Sequence, residues 1–580
     1  MKYWVFLSII LLGCTSENES LILDLKDFKT GFEINPNSTA TYEETIEFYK
    51  ELAVRTPMVQ VSKVGSTDSG KPLHAVVIST SGFKPELIRN DNKSILFINN
   101  AIHPGEPCGV DASMMLARDI FSDSLSYILD KVSIVIIPIY NVGGSLNRGS
   151  FSRANQMGPE SYGFRGNSRN LDLNRDFIKA DSYNALSFSK VFSKYSPDVL
   201  IDNHTSNGAD YQYKLTLIAS QKDKLTPELS SLMTREMLPD LYKRMSFSGY
   251  EMTPYVYSRS TPDGGIYGFM DYPRYSSGFA TLHNCIGLIS EAHMLKPYQD
   301  RVWGTYHLMK NLLHFMAENN EEILKTKQEA INSVIAQDSF ALDWTLDMSR
   351  IDSLTFKGFE AKYKPSEVTG VNRLYYDRSA PYEKTIPYYN SYKPTVKVNK
   401  PLAYIIPQAY KNIVNRLKLN GVVLDSFMTD QELDVEQYYI DDFETRNNPY
   451  EGHYLHTNVQ LKTVGRKWKF NKGDYIIKTN QPLNRLIIET LEPQGADSYF
   501  AWNFFDGILM QKEYFSSYVF EDTAAKLLEE DAELKKSFIE KKNQDEDFAN
   551  DPRAQLNYIY ERSPYYEPTH MLYPVARQIK

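Results

Sequence analysis

Between residues 73 and 319, compact apolar runs of strand length alternate with stretches of helical length. No other feature constrains the fold as much. Residues 74–79, 95–99, 133–139, 199–202, 215–219 and 286–290 are short, mostly rich in Ile, Val or Leu, and not cleanly alternating. Runs of this kind suit strands covered on both faces. Residues 109–121, 184–194, 226–246 and 298–319 read as the helices between and after them, and 39–49 as a short leading helix. The expectation for residues 39–325 is an α/β fold, with a mostly parallel or mixed central sheet and helices on both faces.

Beyond the polar run ENNEEILKTKQE the texture changes. Residues 356–363, 402–406, 422–424, 454–463 and 475–478 read as strands, separated by turns such as Asn420-Gly421 and Asn471-Lys472-Gly473. A short helix is expected at 409–417. Residues 335–580 therefore read as a second, strand-rich domain, with one charged amphipathic helix at 524–542. Trp468 and Trp502 in this part suit buried core better than sugar stacking. At 580 residues the chain is long enough for two ordinary cores.

Residues 1–13 have the length and apolar core of a signal peptide, too short to span a bilayer as a helix. Leu11-Leu12-Gly13-Cys14 resembles a bacterial lipobox, which implies lipidation of Cys14 and a polar tether over 14–38. The expected place is then the bacterial cell envelope, lipid-anchored at the outer membrane. Cys108 and Cys285 remain, and they read as two buried thiols rather than a bridge. With 64 Lys and Arg against 73 Asp and Glu, the chain lacks the basic footprint of a general nucleic-acid binder.

Four pieces sit at or just past the C-terminal ends of expected strands, the edge where open α/β sheets bind ligands. In FINNAIHPGE (97–106), His103 and Glu106 flank a Pro-Gly turn; in VLIDNH (199–204), His204 ends a strand. Two histidines and a glutamate are a common set for a hydrolytic zinc site with an open position. The bland alternative is two histidines satisfied by backbone. The third piece, RNLDLNRDF (169–177), lies among Arg148, Arg153, Arg165, Arg169 and Arg175, which suit a carboxylate-bearing substrate. A salt-bridged loop using Asp172 and Asp176 is the alternative there. The fourth, IGLISE, ends in Glu291, which reads either as a paired structural acid or as a general base. His283 and His293 read as supporting or surface groups rather than ligands.

Together these pieces resemble the zinc carboxypeptidase family, the carboxypeptidase A-like peptidases, over residues 40–320. The resemblance implies one Zn2+ per chain, bound by His103, Glu106 and His204. It implies that Asn174 and Arg175 grip a C-terminal carboxylate and that Glu291 is the catalytic base and acid. RGNSRNLDLNR (165–175) is similar to a bacterial pattern whose first arginine stabilises the oxyanion, so Arg165 takes that role, with Arg153 as the alternative. Asn170 stands where the pattern has glycine. The family's tyrosine over the scissile bond falls to Tyr267, or else Tyr272. Gly105 stands where pancreatic-type members carry an arginine, so that contact is missing or replaced. Residues 473–506 resemble the C-terminal extension of large bacterial members.

The resemblance implies a metallocarboxypeptidase acting on peptides or cell-wall peptides. A zinc amidohydrolase of N-acyl amino acids or peptidoglycan peptides remains as an alternative. So does a non-catalytic surface binding protein.

Overall fold

The computed structural model describes residues 23, 25, 27–122 and 124–579. The expected signal segment and Cys14 lie outside the described residues. The first long helix, Tyr42–Arg55, begins where Thr41 and Glu44 form a reciprocal capping box that satisfies two orphan N–H donors. It runs a turn and a half beyond the expected end.

The strands that follow are β1 (Val59–Ser66), β2 (Pro72–Ile78), β3 (Ser94–Asn100), β4 (Val132–Ile137), β5 (Val199–Ser206), β6 (Leu215–Ala219), β7 (Met252–Pro254), β8 (Ile266–Tyr267) and β9 (Ile286–His293). All but β8 join in one sheet of order β1-β2-β4-β3-β5-β9-β6-β7. Its centre is parallel, β4 to β3 to β5 to β9, and its flanks include antiparallel pairs. The sheet is thus mixed, with a parallel centre, as expected.

Alternate residues of one strand enter different cores. Leu96 and Ile98 of β3 join Ile134 and Ile136 of β4 in the first, while Ile95, Phe97, Val135 and Ile137 join the second. Both faces are therefore apolar, which is why these strands read as continuous runs. The helices Cys108–Asp119 and Tyr298–Glu318 cover one face, and Tyr183–Tyr195 and Ser276–Leu282 the other.

The boundary expected near 325–335 falls within the helix Asn320–Ala336. Strands then resume as β10 (Ser339–Leu346), β11 (Asp352–Pro365), β12 (Asn372–Tyr389), β13 (Tyr392–Asn399), β14 (Ala403–Ile406), β15 (Asp425–Ser426), β16 (Gln431–Thr445), β17 (His456–Phe470), β18 (Tyr475–Lys478) and β19 (Ala576–Gln578). β10 pairs with β13, the β11–β12 hairpin takes up β8, and the rest form a six-stranded sheet. Residues 422–424, expected as a strand, lie just outside β15. The helix expected at 524–542 is two, Ser517–Glu530 and Ala532–Gln544. Asp531 leaves the helical region (φ −116°, ψ 98°) and its carboxylate caps the second helix through the Leu534 N–H at 2.9 Å.

The strand-rich region shares a core with the sheet. Leu417, Leu486 and the fully buried Trp502 cluster with Phe188, Phe192 and Phe279. Cys108 and Cys285 are buried free thiols. Among the described residues no helix is long and apolar enough to cross a membrane.

His283 ties the two regions. Buried against Phe192 and Phe279, it meets Asn420 Oδ1 through Nε2 at 3.3 Å. Burial pushes its pKa down to about 3, with Lys327 acting in the same direction. The unfolded chain, with histidine near 6.5, then binds the extra proton, so stability falls as pH drops from about 6.5 toward 3. At pH 5 this amounts to roughly 2 kcal/mol. His283→Gln should therefore lose less melting temperature than the wild type between pH 7 and pH 5. An unchanged difference between the two proteins at both pH values would contradict this account.

Candidate metal centre and active-site cleft

Because β3, β5 and β9 run parallel, their C-terminal ends meet at one edge of the sheet. Past β3 the chain turns at Ala101 (φ +52°) and closes a tight turn in which the Glu106 N–H donates to the His103 carbonyl at 2.8 Å. On β5, His204 lies beside Glu291 of β9 in register. The turn and the two strands thus bring His103, Glu106, His204 and Glu291 to one cleft of about 530 Å³. Asn174, Arg175, Arg165 and Arg153 line it as well.

One ligand atom each from His103, Glu106 and His204 lies within 4.8 Å of the other two. Both histidines are held through Nε2. His103 meets Asp172 Oδ1 at 2.9 Å, and His204 meets Asp202 Oδ2 at 3.0 Å. That leaves Nδ1 of each aimed at Glu106, at 3.3 and 3.2 Å. His103 Nδ1 is buried and has no hydrogen-bond partner. An orphaned imidazole nitrogen, a facing carboxylate and carboxylate-oriented histidines are what a divalent metal of zinc type requires. The residues fit the group.

The orienting acids were legible only in part. Asp202 precedes His204 by two residues on a strand and so shares its face. Asp172 also accepts the Asn174 N–H at 2.8 Å, capping the short turn that carries Asn174 and Arg175. Burial would raise the Asp172 carboxyl, but His103, Arg165 and Arg175 hold it well below the usual carboxylate range.

The contact missing at Gly105 is replaced from elsewhere in the chain. Arg153 donates to Glu106 Oε1 at 2.9 Å and to the Thr205 carbonyl at 3.1 Å. A Cβ at Gly105 would come within 2.7 Å of the Arg153 side chain, so glycine makes room for it. Arg165 donates to Asp172 Oδ2 at 3.0 Å and lies 3.5 Å from Glu106. Asn170, at the pattern's glycine position, has φ +58°, a conformation asparagine tolerates better than most residues.

Glu291 is partly exposed to the cleft. Desolvation pushes its carboxyl up to about 8; His204 and Arg165 pull it down, and Glu106 and Asp202 push it up. Asn174 Oδ1 is buried without a partner at the cleft wall. Arg175 lies over the Tyr275 ring at 4.7 Å.

Neither expected tyrosine lines the metal-site cleft. Tyr267 stacks on Tyr389 of β12, with centroids 4.7 Å apart, and lines a neighbouring hollow of about 320 Å³. Tyr272 donates to Asp343 at 3.1 Å. The tyrosines lining the metal-site cleft are Tyr255 and Tyr275. The reason is β8, which pairs with β12 and draws Tyr267 toward the strand-rich region. His293 Nε2 donates to the Ala209 carbonyl at 2.8 Å, outside the ligand cluster.

The family model described as zinc carboxypeptidase matches residues 45–328. Carboxypeptidase 2 of Trichophyton rubrum is 22% identical over 483 residues, 80% of this chain and 84% of its own. The probable carboxypeptidase 2 of Arthroderma benhamiae is 20% identical over 79% of this chain and 85% of its own. A solved metallo-carboxypeptidase from Pseudomonas aeruginosa aligns at 16% identity over 49% of this chain and 70% of its own, with a TM-score of 0.38. With its two histidines and glutamate gathered at one sheet edge, the region 45–328 is a domain of the zinc carboxypeptidase family.

Proposed function

We propose that the chain is a zinc-dependent carboxypeptidase, hydrolysing the peptide bond next to a free C-terminal carboxylate. The juxtaposition that carries this is Glu291 facing the His103, Glu106 and His204 cluster in a cleft that also holds Asn174 and Arg175. Zinc held by that cluster supplies Lewis acidity, which acidifies water and polarises the scissile carbonyl.

The chain's own groups do the rest. Arg175 grips the terminal carboxylate with its guanidinium fork and Asn174 adds an amide, so the last peptide bond is presented to Glu291. Glu291 takes a proton from the attacking water and passes it to the leaving amine. Arg165 offers positive charge to the oxyanion as it forms. Ile218, Ile289 and Phe269 line the same cleft, so the released residue should be apolar.

Zinc-loaded protein given a mixed peptide library should remove apolar C-terminal residues one at a time, read by mass spectrometry. Amidated copies should stay intact. Cleavage of muropeptides or N-acyl amino acids alone would replace the peptide reading with the amidohydrolase one.

A further inference from the structure

The strand-rich region reaches the cleft's border at one turn. Residues 446–455, between β16 and β17, fold back over the loop 172–181 that carries Asn174 and Arg175. Tyr450 Oη accepts from Arg175 Nε at 2.9 Å. The Glu451 carboxylate accepts the Asp172 N–H at 2.7 Å, and His453 Nε2 meets Asp181 Oδ2 at 2.6 Å. One turn thus holds the loop at its start, middle and end.

The turn is itself fixed. Tyr450 and His453 exchange backbone hydrogen bonds of 2.7 and 3.1 Å, with Glu451 at φ +49° and Gly452 at φ +83°. The Tyr450 ring stacks on buried Trp502, centroids 6.0 Å apart, and Arg446 lies 4.7 Å from the Tyr450 ring centroid.

We propose that this turn is a positioning strap, and that Tyr450 is a positioning residue that aims the Arg175 guanidinium at the substrate's terminal carboxylate. An unrestrained arginine has many rotamers to lose when it binds. Here Nε is taken by Tyr450 and Nη1 by the Asn174 carbonyl at 2.8 Å, which sets the plane of the fork before substrate arrives. A phenol oxygen does this without a formal charge that would compete with the substrate's carboxylate. The strap makes residues outside 45–328 part of substrate recognition.

The proposal rests on the carboxypeptidase reading, so its test has an arm independent of turnover. Tyr450→Phe removes the acceptor and keeps the ring on Trp502. In the full-length zinc-loaded protein, KM for a free-acid peptide should rise about three- to tenfold, with kcat within about twofold and the melting temperature unchanged. Calorimetry with N-acetyl-L-phenylalanine and its amide should show the acid weakened by the same factor and the amide unaffected. If the wild type cleaves no peptide, the functional reading fails, and the strap is judged on acid binding alone. Equal acid affinity in both proteins, or equal weakening of acid and amide, overturns the strap.

Discussion

Glu291→Gln is expected to lower kcat on a free-acid peptide by about 100- to 10,000-fold, the usual worth of a positioned general base. Its zinc content should match the wild type. Glutamine has nearly the same shape, so β9 keeps its register with β5, where His204 pairs with position 291. What the substitution removes is the only role a glutamine cannot fill, taking a proton and giving it back. Zinc by plasma mass spectrometry beside single-turnover kinetics separates the roles. Full zinc with kcat within tenfold of wild type would falsify the assignment.

The sheet was legible because burial on two faces leaves a strong mark. The expected runs at 215–219 and 475–478 coincide with β6 and β18, and the helix at 298–319 with Tyr298–Glu318 to within one residue. The long strand β12 was missed for the opposite reason. β12 is exposed or half-buried at all but one of its positions, so its tyrosines and charges carry no two-residue period to read. The break at Asp531 was hidden because LLEEDAELKK keeps helical composition through a cap that only backbone geometry reveals. The likeness to the fungal carboxypeptidases covers 80% of the chain, so it runs past residue 328 into this region.

The candidate site was legible where motif and strand end coincide. His103, Glu106, His204 and Glu291 each sit at such an end, and parallel pairing makes their meeting a consequence of topology. The contacts made by long side chains from other loops were not legible. Arg153 reaches Glu106 across 47 positions and Tyr450 reaches Arg175 across 275, and no spacing rule links either pair. Counting back from Glu291 to Tyr267 takes no account of β8, whose pairing with a distant hairpin sets where that ring lies.

Arg175→Ala is expected to lower kcat/KM for free-acid peptides by about 100-fold or more, some 3 kcal/mol, in the range for truncating one partner of a close charge pair. The five arginines near the motif differ in how far their charge is already spent. Arg148 donates to the Thr39 and Ala40 carbonyls and Arg169 to the Asp181 carbonyl, and neither lines the cleft. Arg153 and Arg165 line it, but each already has a carboxylate within 3.0 Å. Arg175 also lines it, and its carboxylate neighbour, Asp172, stands 3.9 Å away. It is the least neutralised of the three, which makes it the one with most to gain from an arriving carboxylate. Arg175→Lys keeps the charge without the planar fork and should fall between alanine and wild type. The reading is the ratio of acid to amide turnover, because an amidated peptide never used the fork. A collapse of that ratio assigns the anchor to Arg175; equal losses on both substrates would move it to Arg153 or Arg165.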